Sequence, residues 1–347
     1  MDAPARLGTI VGGTRYSDPA TKEIRHSIDL LDLDAGPLGA GRAPDRIPLD
    51  FLAHGFAPHP RRSEAALLEK RGPGGCHVDL VARAVIRPIA PMEGHHFYGH
   101  GAFTRDAGAF LAVESQLGTG EGAISVRDPV SFAVIDTFPT YGKAPHDCVL
   151  IEDGATLAVT NGGGPFGTDA LPCVTFVDVA SRKLLEKREV SSPRINAGHV
   201  AITMNRAFVL VSAPRDGLAE TDLGGVSLGA ESGLLRRVTR PEQVTGRMIG
   251  ESLSVCIHHR TRTAVVTHPY AHLISFWNLG AGALFGAFDL PHPRGVTLTL
   301  DERYFAVSFG PAASLLLIET EPLKPRTDLD CGARIFGGSH IYTWAAA

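Results

Sequence analysis

The sequence predicts an all-β protein, a seven-bladed β-propeller closed by pairing of its N- and C-terminal strands in one blade. Three observations lead there. Similar first-strand segments recur along the chain, each is followed by a second apolar run, and the two ends carry strands that lack partners of their own.

The recurrence is clearest at five histidines, His54, His100, His146, His199 and His340. Each follows a small residue or a proline, or in one case a serine, and opens an alternating apolar run, as in AHGFAPHP from Ala53 and PHDCVLIEDG from Pro145. Two further segments fit the frame with Ser252 and Gly295 at the histidine position. Successive spacings of 46, 46, 53, 53, 43 and 45 residues fall around the ~40–50 residue period of propeller blades. Blades are therefore expected to start near residues 54, 100, 146, 199, 252 and 295. The last is formed by 340–347 with 7–50, so that a single domain spans 1–347.

Second strands follow 13 to 16 residues later in AALLEK, FLAVES, LAVTNG, FVLVSA, AVVTHP and FAVSFG. An antiparallel return brings Glu69, Glu114, Asn161, Ser212, His268 and Ser308 back to the histidine end of each sheet. At the ends, LGTIVGG, HSIDLLDLD and DRIPLD are three strands without a first, and GSHIYTW is a first strand with nothing after it. Joined, they leave no open sheet edge. The two longest spacings place extra residues in NGGGPFGTDALP and APRDGLAETDLGGVSLGAESG. Both follow second strands, so they rise on the histidine face and shape a pocket there.

Composition agrees. Among 347 residues, 39 glycines and 24 prolines beside 44% apolar residues suit many short strands joined by turns. No apolar stretch approaches the ~20 residues of a spanning helix, so no membrane insertion is expected. A net charge of −4 offers nothing for nucleic acid. The five cysteines are odd in number and far apart, which argues against a disulfide framework and against zinc-finger spacing. The opening residues carry neither an apolar signal core nor a twin arginine. The chain reads as cytoplasmic, or as periplasmic if it is the mature form of an exported protein.

The run GHHFYGHGAFTRDAGAFLAVESQLGTGEGAISVRD, followed by YGKAPHDCVLIEDGATLAVTNGG, resembles an uncharacterised bacterial family of seven-bladed propellers within the wider WD-repeat and YVTN-like group. Tyr98, His100, Glu114, Gly120, Gly122, His146, Asn161 and Gly162 stand where that family's FYGHG, GxG, GPHE and VANGG motifs put them. Asp147 replaces the glutamate of GPHE, and PFGTD follows Gly164 in place of a longer insert. The resemblance implies the fold and an association with iron uptake and twin-arginine export, but no established reaction.

Neutral imidazole is a common ligand for zinc, copper and iron, and several converging on an axis leave room for water or substrate. His54, His100, His146, His199 and His340 are accordingly read as metal ligands, for iron or copper. Glu69, Glu114 and Asn161 are expected to steady His54, His100 and His146 through their second ring nitrogens. His268 is read as a further ligand or proton shuttle, Tyr98 as a donor to bound oxygen, and Arg294 as a clamp for an anionic substrate. The other histidines, among them His59, His77, His95, His96, His258, His259 and His272, are read as surface, turn or strand residues. In architecture the plan is similar to carotenoid-cleaving oxygenases and to copper thiol oxidases related to selenium-binding proteins, though fold alone carries no function.

Three readings stay open. One is a metal-dependent oxidoreductase acting on a small molecule, one a metal-binding protein without turnover, and one a scaffold with structural histidines whose loop face meets a protein partner. A calcium lactonase fits an imidazole-rich ring poorly, because calcium prefers oxygen ligands. NGGG lacks the lysine and helix of a phosphate loop.

Overall fold

A computed structural model describes residues 6–36, 43–151, 154–203, 206–229, 233–329 and 336–345. Its strands pair in chain order into seven successive antiparallel units. Unit one holds β1 (Thr9–Ser17), β2 (Ile24–Asp32) and β3 (Asp45–Leu49); unit two, β4 (Ala53–Pro58), β5 (Glu64–Gly72), β6 (Gly75–Asp79) and β7 (Ala84–Pro88). Unit three holds β8 (His95–Phe103), β9 (Phe110–Gln116), β10 (Glu121–Arg127) and β11 (Val134–Lys143). Unit four holds β12 (Pro145–Ile151), β13 (Thr156–Asn161), β14 (Cys173–Asp178) and β15 (Leu184–Glu189). Unit five holds β16 (Val200–Ile202), β17 (Phe208–Ser212) and β18 (Gly225–Gly229). Unit six holds β19 (Val255–His258), β20 (Thr263–His268), β21 (Leu273–Asn278) and β22 (Ala283–Asp289). Unit seven holds β23 (Val296–Leu298), β24 (Tyr304–Phe309), β25 (Ser314–Glu319) and β26 (Pro325–Arg326). The strand β27 (Ile341–Trp344) returns to unit one and pairs antiparallel with β1, Gly12 opposite Ile341 and Thr9 opposite Trp344.

Strand alternation explains the core. Successive side chains of a strand point to opposite faces, so each blade shares one face with each neighbour. On β9, Leu111 and Val113 pack toward unit four while Phe110 and Ala112 pack toward unit two. The same division separates Phe208 and Leu210 from Val209 and Val211 on β17, and Phe305 and Val307 from Ala306 on β24. Seven apolar clusters result among the described residues. The one built from Ile10, Leu31, Ala306, Leu315 and Ile341 joins unit seven to unit one.

The inner strands come close enough to exclude a side chain between them. A Cβ on Gly55 would overlap the carbonyl oxygen of Gly99, and one on Gly99, whose φ is +105°, would overlap the His54 ring. Unit two is also stitched to unit three, because β5 runs on to pair with β8 and sets Lys70 opposite Tyr98. His95 and His96, read as surface or strand residues, lie in β8 and pair with Gln116 and Ser115. Cys76, Cys148, Cys173 and Cys256 are free thiols, and Cys331 falls outside the described residues. Among those residues no helix is long and apolar enough to cross a membrane.

Gly55→Ala is expected to lower the denaturant midpoint by at least the ~1–3 kcal/mol typical of overpacking. Gly286→Ala, whose Cβ would meet only Phe276 Cδ2 at 3.8 Å, should leave the midpoint unchanged or raise it.

Candidate metal centre

Three of the five recurrent histidines owe their direction to irregular pairing. The ladder shifts register between Ala53 and Gly55, between Phe97 and Gly101, and between Pro145 and Cys148, and His54, His100 and His146 lie within those shifts. A bulge breaks the alternation of the strand and re-aims the side chain it carries. His199 and His340 stand one residue before β16 and β27, His199 with its carbonyl accepting from the Val211 N–H of β17 at 2.9 Å.

The result is a compact cluster. Ring centroids are 4.1 Å apart for His199 and His340, 4.3 Å for His146 and His199, 4.6 Å for His54 and His340, and 4.9 Å for both His54 with His100 and His100 with His199. His54, His100, His199 and His340 each offer a ring nitrogen within 4.8 Å of the others, and these four can hold a metal ion. His146 stands outside that quartet, against His199 and with the Tyr98 ring 5.4 Å away.

Each of the five Nε2 atoms is buried without a hydrogen-bond partner. A buried polar atom left unpaired costs about 1–3 kcal/mol, so five together mark a place shaped for an occupant. The opposite ring nitrogens are partly held. Nδ1 of His100 faces Asp147 Oδ1 at 3.3 Å, Nδ1 of His199 faces Asp147 Oδ2 at 3.5 Å, and Nδ1 of His340 meets Ser254 Oγ at 3.4 Å. A carboxylate at Nδ1 favours the tautomer that leaves Nε2 free to bind an ion.

Asp147 is itself fixed by the backbone N–H groups of Cys148 at 2.8 Å and Val200 at 3.2 Å. Burial alone would raise its pKa, but the two imidazoles and the Val200 N–H hold it below the usual carboxylate value. Burial pushes His54, His146 and His340 well below the ordinary imidazole value and His100 to about 4. These rings are therefore neutral at pH 7, the state a metal ligand requires.

The partners expected from the second strands face elsewhere. Glu114 is fully buried, but its carboxylate takes hydrogen bonds from Ser125 Oγ at 2.5 Å, Arg127 Nη2 at 2.6 Å and the Met92 N–H at 2.7 Å. Asn161 Oδ1 accepts from Thr140 Oγ1 at 2.6 Å, and Asn161 Nδ2 donates to Thr175 Oγ1 at 3.2 Å. Glu69 braces the turn into β6 by accepting from the Gly74 N–H at 2.9 Å. None of the three meets the histidine assigned to it, and the carboxylate at His100 belongs to Asp147.

His268 is corrected in the same way. Its Nδ1 pairs with Ser252 Oγ at 2.9 Å and its Nε2 with Ser275 Oγ at 2.8 Å, and Trp277 Nε1 donates to the same Ser275 oxygen. With both nitrogens engaged it serves the blade and not an ion.

The second-strand residues did return to the histidine end, as expected. Their side chains instead follow the undisturbed alternation of their own strand onto the third. Glu114 reaches Ser125, Asn161 reaches Thr175 and His268 reaches Ser275, each two residues beyond its direct ladder partner.

Arg294 also has a different task. It donates to the Gly338 carbonyl at 2.8 Å and to Ser339 Oγ at 3.3 Å, steadying the segment that presents His340. Tyr98 does approach the cluster, and its hydroxyl accepts from Arg71 Nε at 2.9 Å.

The cluster divides two cavities. One, of about 280 Å³, has Lys70, Arg71, Tyr98, His146, Arg215 and Glu251 on its walls. Its rim includes Gly162, Gly164 and residues 213–216, which belong to the two long loops expected to shape a pocket. The other, of about 290 Å³, is lined by His100, His199 and His340 with Cys148, Cys256 and Tyr342. Burial pushes both thiols up, Cys256 to about 12, so they remain protonated. A larger hollow of about 820 Å³ between residues 115–120 and 163–170 touches His96 but none of the five clustered histidines.

Fold and site together define a β-propeller with a buried histidine cluster able to hold a metal ion. The chain matches the family described as protein of unknown function (DUF1513) over residues 47–329 and belongs to it, in agreement with the resemblance to an uncharacterised propeller family. No curated protein matches it. Among solved structures, hydrazine synthase of Kuenenia stuttgartiensis is similar at a TM-score of 0.69 and 13% identity, over 92% of this chain and 97% of that one. At that identity the likeness shows the fold.

His100 and His268 are held neutral in the folded state, at about 4 and about 3, against about 6.5 when unfolded. Below pH 6.5 the unfolded chain then binds more protons, so stability falls as pH falls through that window. The denaturant midpoint of chelator-treated protein should be level from pH 8 to 7 and decline from pH 6.5 to 4. A level profile down to pH 4 would contradict the burial of neutral imidazoles.

Proposed function

We propose that the cluster is a metal centre for iron or copper and that the protein is an oxidoreductase acting on a small molecule. The observation that carries this reading is the set of five buried Nε2 atoms without partners. His268 supplies one contrast within the same chain, a buried histidine with both nitrogens hydrogen-bonded, whereas His77 and His258 each leave one ring nitrogen unpaired and bond through the other.

The donor set narrows the ion. Neutral nitrogen donors do not suit calcium or magnesium, and among the described residues no cysteine joins the quartet to favour structural zinc. Metal–nitrogen bonds of about 2.0–2.1 Å place opposed nitrogens about 4 Å apart, so a quartet spread over 4.8 Å closes on an ion with shifts below one ångström. Iron or copper held there would supply electron transfer or polarisation of a bound group. The protein's part is to steady three of the four imidazoles, His100 and His199 through Asp147 and His340 through Ser254, and to keep a cavity open on either side.

Protein purified without chelator, or reconstituted with ferrous or cupric salt, is expected to carry about one metal ion per chain by plasma mass spectrometry. His100→Ala and His199→Ala should lose that ion while keeping the β circular dichroism of the parent. No retained metal in the parent after reconstitution would overturn the reading. Asp147→Asn removes the carboxylate behind two ligands and should weaken metal affinity about 10–100-fold, measured by competition with a chromogenic chelator.

A further inference from the structure

The chamber beside His146 is held open by contacts already made. Arg215 donates to the carbonyls of Gly163, Gly164, Pro165 and Ala170 at 2.6 to 3.1 Å and to Thr168 Oγ1 at 2.8 Å. It thereby ties the loop after β13 to the loop after β17. Arg71 is occupied by the Tyr98 hydroxyl and by Asp216 Oδ2 at 2.8 Å.

Lys70 is different. Its side chain is 29% exposed, its ion pair with Glu251 Oε1 spans 3.9 Å, and among the described residues its ammonium has no hydrogen-bond acceptor. A gap of that length is too long for a hydrogen bond.

Two facts place Lys70 at the cluster. The β5–β8 ladder sets it opposite Tyr98, whose ring lies 5.4 Å from that of His146, and it shares the chamber wall with His146. The wall carries Lys70, Arg71 and Arg215 against Asp216 and Glu251, a balance of one positive charge. A partly exposed ammonium without a direct acceptor is free to take one, and one negative charge would balance the wall.

We infer that this chamber binds a small monocarboxylate, whose negative group meets the Lys70 ammonium beside His146. This rests on Lys70 and the chamber wall, and the metal-centre reading enters only through the neighbourhood of His146. The chamber continues past Arg71 and Tyr98 into a groove of about 560 Å³ beside Pro73, Leu117 and Pro165, which offers an apolar path for the rest of such an acid.

The test is a fluorine NMR titration with trifluoroacetate, with neutral trifluoroacetamide as control, on metal-free and metal-loaded protein whose ion content is measured in the same samples. Trifluoroacetate should bind the parent and the amide should not. Lys70→Gln should weaken binding about 10–100-fold, as expected for one lost charged hydrogen bond, with metal content unchanged, and Lys70→Arg should restore most of it. Equal affinity in Lys70→Gln, or no binding to the parent, overturns the assignment. Lys70-dependent binding to protein that takes up no metal would support the carboxylate site and reject the metal centre instead.

Discussion

Seven inter-blade cores must be filled at once for the ring to close, and that requirement brings the innermost strands side by side around one axis. Each apolar cluster draws on two neighbouring blades, so no blade completes its burial alone. The close approach at Gly55 and Gly99 is a local consequence, because side chains aimed inward from so narrow a ring have to share a few ångströms. Histidines at that radius either repel water from their ring nitrogens or surround something that takes their lone pairs.

The cluster depends on departures from regular strand geometry. Regular alternation sends Glu114, Asn161 and His268 onto the third strand of their own blades, where they form closed hydrogen-bond networks. Register shifts send His54, His100 and His146 toward the axis. One chain thus contains buried polar groups of two kinds at the same end of its sheets. Those that are satisfied stabilise a blade, and those left open define a site.

Much of this was legible in the residues. The blade period, the strands and the terminal closure are written in short-range patterns, small residue, histidine and alternating apolar positions, that need no knowledge of distant contacts. The five histidines stood out because they repeat. Side-chain direction was harder to read, since a bulge is a property of two strands together, and Glu69, Glu114 and Asn161 were therefore assigned to the wrong neighbours. Asp147 was visible as a departure from a motif, but its role depends on reaching His199 from the next blade. Lys70 ends an apolar strand and gave no local signal, because its importance comes from the β5–β8 pairing between blades.

The order of the clustered histidines along the chain decides when the cluster forms. His340 comes after the other four and arrives on the strand that also covers the exposed edge of β1. Ring closure and completion of the histidine quartet are thus a single event. A chain folded only as far as unit seven holds three of the quartet and an open edge, so the four-histidine cluster exists only once β27 has docked. A protease that removes β27 would bare the edge of β1 and take His340 from the cluster in one cut.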